Sequence, residues 1–437
     1  MSGQNPREIA VQILQRRRQN GDFVENLLET ALERARLSPA DRGLCQELVY
    51  GIVRWQATLD WLIARKAKTS EPKPLLQDLL RMGLYQIFWL DRIPNHAAVN
   101  ETVELAKRNR LTAQAGFINA VLRGYLREFD ATKQLLLDLK GNQPEIGYSH
   151  PEWLVQRWQK RWGKEATIRL LEWNNSPPKT FARVNTLKAD PGKLLAQWRD
   201  EDVEYDFVRH DWFEENLVFE LKSHPPLTRL PSFQQGLFYV QDPSTLLAVR
   251  ALDPKPGETV LDLCAAPGGK LTYIAQLFNN EGRLVAQDVN HERLKLIQEN
   301  CARLGVKCVD PVVFLDTVVG GSAVGMPRPA FDKILIDAPC SNTGVMRRRV
   351  DLRWRITPEE ILRLRAVQLG LLRTAGSALK SGGALVYSTC SLESEENQGV
   401  VSEFLSAQTS FKSETERELA PFANGVDGAY VACLRKR

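Results

Sequence analysis

Two cysteines in the last third of the chain have the setting that covalent chemistry on an electrophilic ring needs. Cys340 closes Asp337-Ala338-Pro339-Cys340 and Cys390 closes Ser388-Thr389-Cys390, each at the end of an expected β-strand. Upstream, Asp262-Leu263-Cys264-Ala265-Ala266-Pro267-Gly268-Gly269-Lys270 is a small-residue loop that lets a ligand approach the backbone closely. Carbon 5 of cytosine is too weak a nucleophile to take a methyl group unaided. A thiolate adding to carbon 6 makes carbon 5 an enamine-like nucleophile and divides one hard step into two easier ones. That thiol must be partly ionised, so its free pKa of ~8.5 must be lowered or a base must lie near. After transfer the proton on carbon 5 must leave, and a second thiol or a carboxylate at the rim would take it. Asp337, protonated or sharing a proton with ring nitrogen 3, would hold the base. The target must be extruded or already single-stranded to enter. A lone free cysteine is usually an inert core residue; two at strand ends beside a ligand loop reverse that expectation. On chemistry alone Cys340 and Cys390 are near-equal candidates for the attacking thiol.

The loop has neither the G-x-G-x-x-G order of a dinucleotide site nor the G-x-x-x-x-G-K-[ST] order of a phosphate loop. Asp288 follows Gly269 by 19 residues, the usual place for a carboxylate that takes a ribose diol. Asp262, Asp316 and Asp337, also at expected strand ends, disfavour a pyrophosphate but suit a cation such as the sulfonium of S-adenosylmethionine. The bland alternative is that Asp262 or Asp316 only caps a turn.

The elements that must position these groups fall into three stretches. At 437 residues the chain is too long for one typical core, so two or three domains are expected. Residues 1–140 read as an all-α bundle: Phe117, Ile118, Val121, Leu122, Tyr125 and Leu126 form one helical stripe, and Pro39, Pro72, Pro74 and Pro94 punctuate the runs. Residues 141–236 read as a small α+β module, with a short helix over 151–162, strand-like Phe181–Asn185, a helix over 187–198 and strands near 203–208 and 217–221. There Arg183 and Asn185 could face a nucleic acid or satisfy each other. Residues 237–437 alternate strand and helix, which argues a Rossmann-like, doubly wound parallel sheet. Its strands are expected at 259–262, 283–286, 311–315, 333–337 and 383–388, and ligands bind beyond the carboxyl ends of such strands.

Hydrophobic and charged contents of 43% and 25% are those of an ordinary globular protein, and a net charge of +5 is compatible with an anionic partner. Arg347, Arg348, Arg349, Arg353 and Arg355 set five positive charges against Asp351 in nine residues, and their place just after Cys340 favours phosphate contact over a solvated face. Arg16, Arg17 and Arg18 could touch phosphate or form a solvated helix end. The seven cysteines include no C-x-x-C pair, so no structural metal is expected. Their odd number and the absence of an apolar leader point to a reduced, cytoplasmic protein, and no apolar run reaches the ~18 residues of a membrane span. A monomer is expected, for want of a coiled-coil seam.

At these residues the C-terminal stretch resembles the RNA (cytosine-5) methyltransferases of the NOL1/NOP2/Sun type, through the 262–270 loop, Asp337-Ala338-Pro339-Cys340-Ser341 and Ser388-Thr389-Cys390-Ser391. The helical stretch resembles the NusB-type RNA-binding fold, most clearly over 97–107 and 117–122. Such a fusion is similar to enzymes that methylate bacterial small-subunit (16S) ribosomal RNA. The resemblance implies Cys390 as nucleophile, Cys340 as the residue that releases product, and Asp337 beside the cytosine. It implies that Cys264, Ala265, Ala266, Pro267, Gly268, Gly269, Lys270, Asp288, Asp316 and Asp337 line the S-adenosylmethionine site, and that the middle module is RNA-recognition-like. Asn342 stands where glycine is usual, and Val350 where proline often follows the arginine pair. Rival readings are a transfer-RNA substrate, a non-catalytic RNA-binding assembly factor, and an amino-group methyltransferase, which would carry Asn/Asp-Pro-Pro-Tyr in place of Asp337-Ala338-Pro339-Cys340.

Overall fold

Small polar residues and proline start the helices of the N-terminal stretch. Asn5 accepts from the Arg7 amide and Ser38 from the Asp41 amide, with Pro6 and Pro39 at the first helical positions. In this computed structural model, which describes residues 4–67, 72–288, 291–310, 313–314 and 330–437, the chain forms two compact units. The first comprises Met1–Ser176 and Met346–Arg355; the second comprises Pro177–Val345 and Ile356–Arg437.

The first unit is helical, with helices at Pro6–Asn20, Val24–Arg34, Pro39–Arg54, Gln56–Lys66, Pro74–Trp89, Asn95–Arg108, Ala115–Arg127 and Phe129–Asn142. Their apolar faces meet in one core that includes Leu48, Ile52, Leu79, Ile118 and Leu122. Of the expected 117–126 stripe, Phe117 lies at the edge and stays 39% exposed. A further helix, Glu152–Asn175, is interrupted at Gly163, whose φ of 82° glycine adopts without a steric penalty. Its contacts group it with this unit.

The arginine-rich segment corrects an expectation. Instead of offering phosphate contacts, most of it is built into the helical unit. Val350 is buried in the helical core. Asp351 is fully buried and accepts from Arg17 Nε (2.6 Å), Arg355 Nε (2.9 Å) and the Val24 amide (3.1 Å). Arg353 is equally buried and donates to the carbonyls of Ser149 (3.1 Å), Asn174 (3.1 Å) and Arg54 (3.3 Å) and to Asn175 Oδ1 (2.8 Å). Trp354 Nε1 donates to the Val53 carbonyl, and Arg347 stacks 3.9 Å from the Trp173 ring. Many of these acceptors are helix C-terminal carbonyls, which have no partner within their own helix and attract cations. Arg349 alone of the five is exposed. Likewise Arg18 pairs with Asp78 at 2.6 Å, and only Arg16 of the 16–18 triplet fits a solvated helix end.

The second unit holds two sheets. Strands β1 (Thr180–Val184), β2 (Glu204–Phe207), β3 (Val218–Ser223) and β4 (Phe238–Val240) form an antiparallel sheet in the order β2-β3-β1-β4. Its helix begins at Pro191, capped by Asp190, four residues later than the apolar pattern implied. The larger sheet contains β5 (Thr259–Leu263), β6 (Arg283–Asp288), β7 (Val313–Phe314), β8 (Phe331–Asp337), β9 (Leu379–Thr389), β10 (Phe411–Leu419) and β11 (Ala429–Lys436). The order is β10-β11-β9-β8-β5-β6-β7. Strands β5 to β9 run parallel, but β11 inserts antiparallel beside β9 and pairs with β10, so the sheet is mixed and not wholly parallel. The strand order reverses at β5, flanked by β6 and β8. A crevice opens beyond the carboxyl ends of the strands at such a reversal.

Candidate active site

Register places the two cysteines. Strand β8 pairs with β9 so that Asp337 lies opposite Ser388, and both strands end at the same level. The turns that follow bring Cys340 Sγ within 3.5 Å of Cys390 Sγ. Cys340 is buried, while Cys390 is partly accessible. Asn342 adopts φ 56°, a left-handed conformation that asparagine tolerates better than most residues. Its Nδ2 donates to the Cys340 carbonyl at 2.6 Å, and its Oδ1 accepts from the Cys390 thiol at 3.0 Å. A carbonyl can only accept, so the amide nitrogen must face it and the amide oxygen must face the sulfur. Thus the residue that departs from the usual pattern touches both cysteines.

Charge is concentrated beside them. Lys270 Nζ reaches Asp337 Oδ2 at 2.6 Å, and Ser388 Oγ donates to Asp337 Oδ1 at 3.2 Å. Burial works against the Lys270 ammonium, but Asp337, with Cys390 and Asp262 beyond it, outweighs burial and keeps the amine charged. Sequence placed Lys270 only in the cofactor loop; the fold turns its side chain toward the thiols. The hydrogen bond with Cys390, then burial and the charge of Glu396, push the Cys340 thiol well above the usual thiol range.

Strand β5 ends in the small-residue loop. Cys264 (φ 70°) and Gly268 (φ 103°) both take positive φ, and the Ala266–Pro267 peptide is cis. Asp262 is fully buried with neither carboxylate oxygen hydrogen-bonded. Burial, then Asp337, raises its pKa well above the carboxylate range. A buried acceptor pair of this kind fits a donor such as an ammonium. Asp288, at the end of β6, accepts from the Ala266 amide (3.1 Å) and from Arg293 (3.3 Å), so it also braces the loop. Asp316 lies outside the described residues, as does most of the third expected strand. Burial raises the Cys264 thiol, consistent with a packed residue. The donor set and the unpartnered Asp262 therefore suit S-adenosylmethionine.

Arg183 was missed as a site residue. Strand β1 buries it completely, and it donates to Gln241 Oε1, to the Gly269 carbonyl at 2.8 Å and to Thr272 Oγ1 at 3.0 Å. It neither faces solvent nor pairs with Asn185, which donates instead to the Gly236 and Leu304 carbonyls. The small sheet thus anchors the start of the Gly269–Leu277 helix. Among the described residues no group of three or more His, Cys, Asp or Glu side chains could hold a metal ion, and no helix is long and apolar enough to cross a membrane.

Comparison with known proteins matches three family models: 16S rRNA methyltransferase RsmB/F over residues 249–435, the NusB family over 4–127, and the RsmF/B-like ferredoxin-like domain over 150–223. Over 99% of its length the chain is 36% identical to a probable ribosomal RNA small subunit methyltransferase B of Bacillus subtilis, covering 98% of that protein. The chain belongs to the RsmB/F methyltransferase family. Another member, ribosomal RNA small subunit methyltransferase B of Escherichia coli, is 34% identical with 99% of each chain covered. Among solved structures, PH0851 aligns over 99% of both chains with a TM-score of 0.79 at 25% identity. A methyltransferase homolog from Pyrococcus horikoshii is 32% identical over 67% of this chain and 97% of its own, with a TM-score of 0.58. The family accounts for the whole architecture found here: helical NusB-like N-terminal domain, ferredoxin-like sheet and Rossmann-like methyltransferase domain.

Proposed function

We propose that this protein transfers a methyl group from S-adenosylmethionine to carbon 5 of a cytosine in small-subunit ribosomal RNA, through a transient bond between Cys390 and carbon 6. The observation that carries the reading is the pair of thiols 3.5 Å apart beside the Lys270–Asp337 ion pair, at the carboxyl ends of adjacent strands. When bound, S-adenosylmethionine supplies an electrophilic methyl group. Cys390, the more accessible sulfur, passes its proton to solvent and attacks carbon 6 as the thiolate. The new C–S bond pushes the ring π pair toward carbon 5, which then takes the methyl group. Negative charge that develops on the ring meets the Lys270 ammonium, already fixed by Asp337 and needing no reorganisation. Asp337 and Ser388 offer polar atoms to the edge of the base.

Cys340 is the candidate for the release step. Its raised thiol pKa owes most to Cys390, and that cause disappears once the Cys390 sulfur is tied up in the adduct. Cys340 then ionises more readily, takes the carbon 5 proton, and the C–H pair re-forms the ring double bond as Cys390 departs. Asp262 would receive the ammonium of the methyl donor and Asp288 its ribose diol. The NusB-like and ferredoxin-like domains would hold the RNA.

The decisive experiment incubates Cys340→Ala and Cys390→Ala separately with S-adenosylmethionine and unmethylated small-subunit RNA, followed by a denaturing gel. A protein–RNA adduct that accumulates only in Cys340→Ala is the expected result. Accumulation only in Cys390→Ala would exchange the roles. No adduct in either, with no methyl transfer by the parent protein, would sink the covalent reading.

A further inference from the structure

One fully buried carboxylate, Glu396, touches the residue that follows each cysteine. Its Oε1 accepts from the Ser341 amide at 2.9 Å and from Gln368 Nε2 at 3.0 Å. Its Oε2 accepts from the Ser341 hydroxyl and, at 2.5 Å, from the Ser391 hydroxyl. The two hydroxyls also lie 3.0 Å apart, and Gln368 Nε2 donates in addition to the Pro339 carbonyl at 2.9 Å. On the far side, the Glu396 carbonyl accepts from the Tyr387 hydroxyl, which roots the carboxylate in strand β9.

Burying a charge is costly unless its lone pairs are satisfied. Here each oxygen has two donors, so the carboxylate acts as a four-armed brace across two separate turns. An apolar side chain of similar volume would fill the space but join nothing. We propose that Glu396 is a positioning residue that holds the Cys340 and Cys390 turns together and so sets the separation of the two sulfurs. It touches neither sulfur itself. The consequence for catalysis rests on the proposed use of both thiols; the positioning role does not.

Phenylarsine oxide reads the geometry without turnover. It forms two As–S bonds with a close thiol pair and releases one water, so its affinity reports how well two sulfurs are held. The parent protein should bind it tightly, and Cys340→Ala should lose that binding. Glu396→Ala should weaken the arsenical by at least ten-fold and lower kcat for methyl transfer by about 10², the cost of a ~1 Å misplacement, with KM for RNA unchanged. Glu396→Gln, which keeps one accepting oxygen, should recover part of both losses. Ser391→Ala removes a single arm and serves where Glu396→Ala does not fold; a several-fold weaker arsenical complex is expected. Unchanged arsenical affinity in a folded Glu396→Ala or in Ser391→Ala would overturn the proposal. If the arsenical results hold while the parent protein methylates no cytosine, the positioning role stands and the function proposed above falls.

Discussion

Replacing Arg353 with methionine separates the two uses that an arginine after the Cys340 turn could have. Its guanidinium serves three backbone carbonyls and the Asn175 side chain, and the bonds to the Ser149 and Asn174 carbonyls are fully buried. A buried acceptor left without a donor costs about 1–3 kcal/mol. Methionine fills much of the volume and no longer buries a cation, which offsets part of that loss. Summed over the four acceptors and net of that offset, the destabilisation of the helical unit is about 3–5 kcal/mol. For a unit of this size that lowers the melting midpoint by roughly 6–20 °C. Lysine keeps the charge but not the planar fork, so Arg353→Lys should lose most of the same stability. Calorimetric melting gives the midpoint, and RNA binding measured across a salt series gives the slope of log K against log salt. A phosphate contact contributes about 0.7–0.9 to that slope. The expected outcome is a large drop in melting temperature with the slope unchanged in both variants. A methionine variant that melts like its parent and loses about 0.7–0.9 of slope would refute the argument from burial.

Three further outcomes follow from the geometry. A Cβ on Gly344 would lie 2.6 Å from the Cys390 carbonyl oxygen and 2.7 Å from Gly428 Cα, so Gly344→Ala should cut kcat about 10²-fold, measured with saturating RNA, by prising the two turns apart. Arg183→Met should weaken S-adenosylmethionine binding by roughly ten-fold in calorimetry, the loss of one charge-assisted hydrogen bond of about 1.5 kcal/mol to the Gly269 carbonyl. His150 is buried between the Tyr148 carbonyl and Asn174, and burial, aided by Arg353, holds its pKa well below the usual imidazole value. The unfolded chain then binds a proton that the folded one refuses, so His150 leaves stability intact above about pH 6.5 and erodes it as pH falls below that. Urea unfolding of the helical unit from pH 7.5 to 5.5 should show this decline, and His150→Gln should flatten it.

Much of the fold was legible because the signals were local. The apolar run 334–336 and the Ala265–Gly269 loop mark strand and turn within a few residues, and the two thiol-bearing turns follow strands of recognisable composition. What sequence could not deliver depends on contacts between distant residues. The Arg347–Arg355 cluster reads as a basic patch until its carbonyl acceptors at helix ends, some three hundred residues upstream at Val53 and Arg54, are placed beside it. Arg183 looked like a nucleic-acid contact because nothing in its neighbourhood announces the Gly269 carbonyl. Strand β10 was missed because it exposes most of its charged side chains, leaving no apolar run to detect, whereas β11 carries an apolar run over 429–434 that does signal a strand. Glu396 sits in the acidic sequence Glu393-Ser394-Glu395-Glu396, which reads as a solvated surface, yet Glu396 is buried.

The placement of Met346–Arg355 within the helical unit has a bearing on how the protein is made. A ribosome finishes Ser176 long before it reaches Arg355, and at about 5–20 residues per second that gap lasts roughly 10–35 s. During that interval the helices at 6–175 are complete in sequence but lack Val350 in their core and Arg353 on their terminal carbonyls. The nascent N-terminal half must therefore wait, incompletely sealed, for a peptide that begins 170 residues after Ser176. A gene cut between the two halves would leave the first product without Val350 in its core and the second with Met346–Arg355 unpacked, so this fusion is harder to undo than a chain of beads.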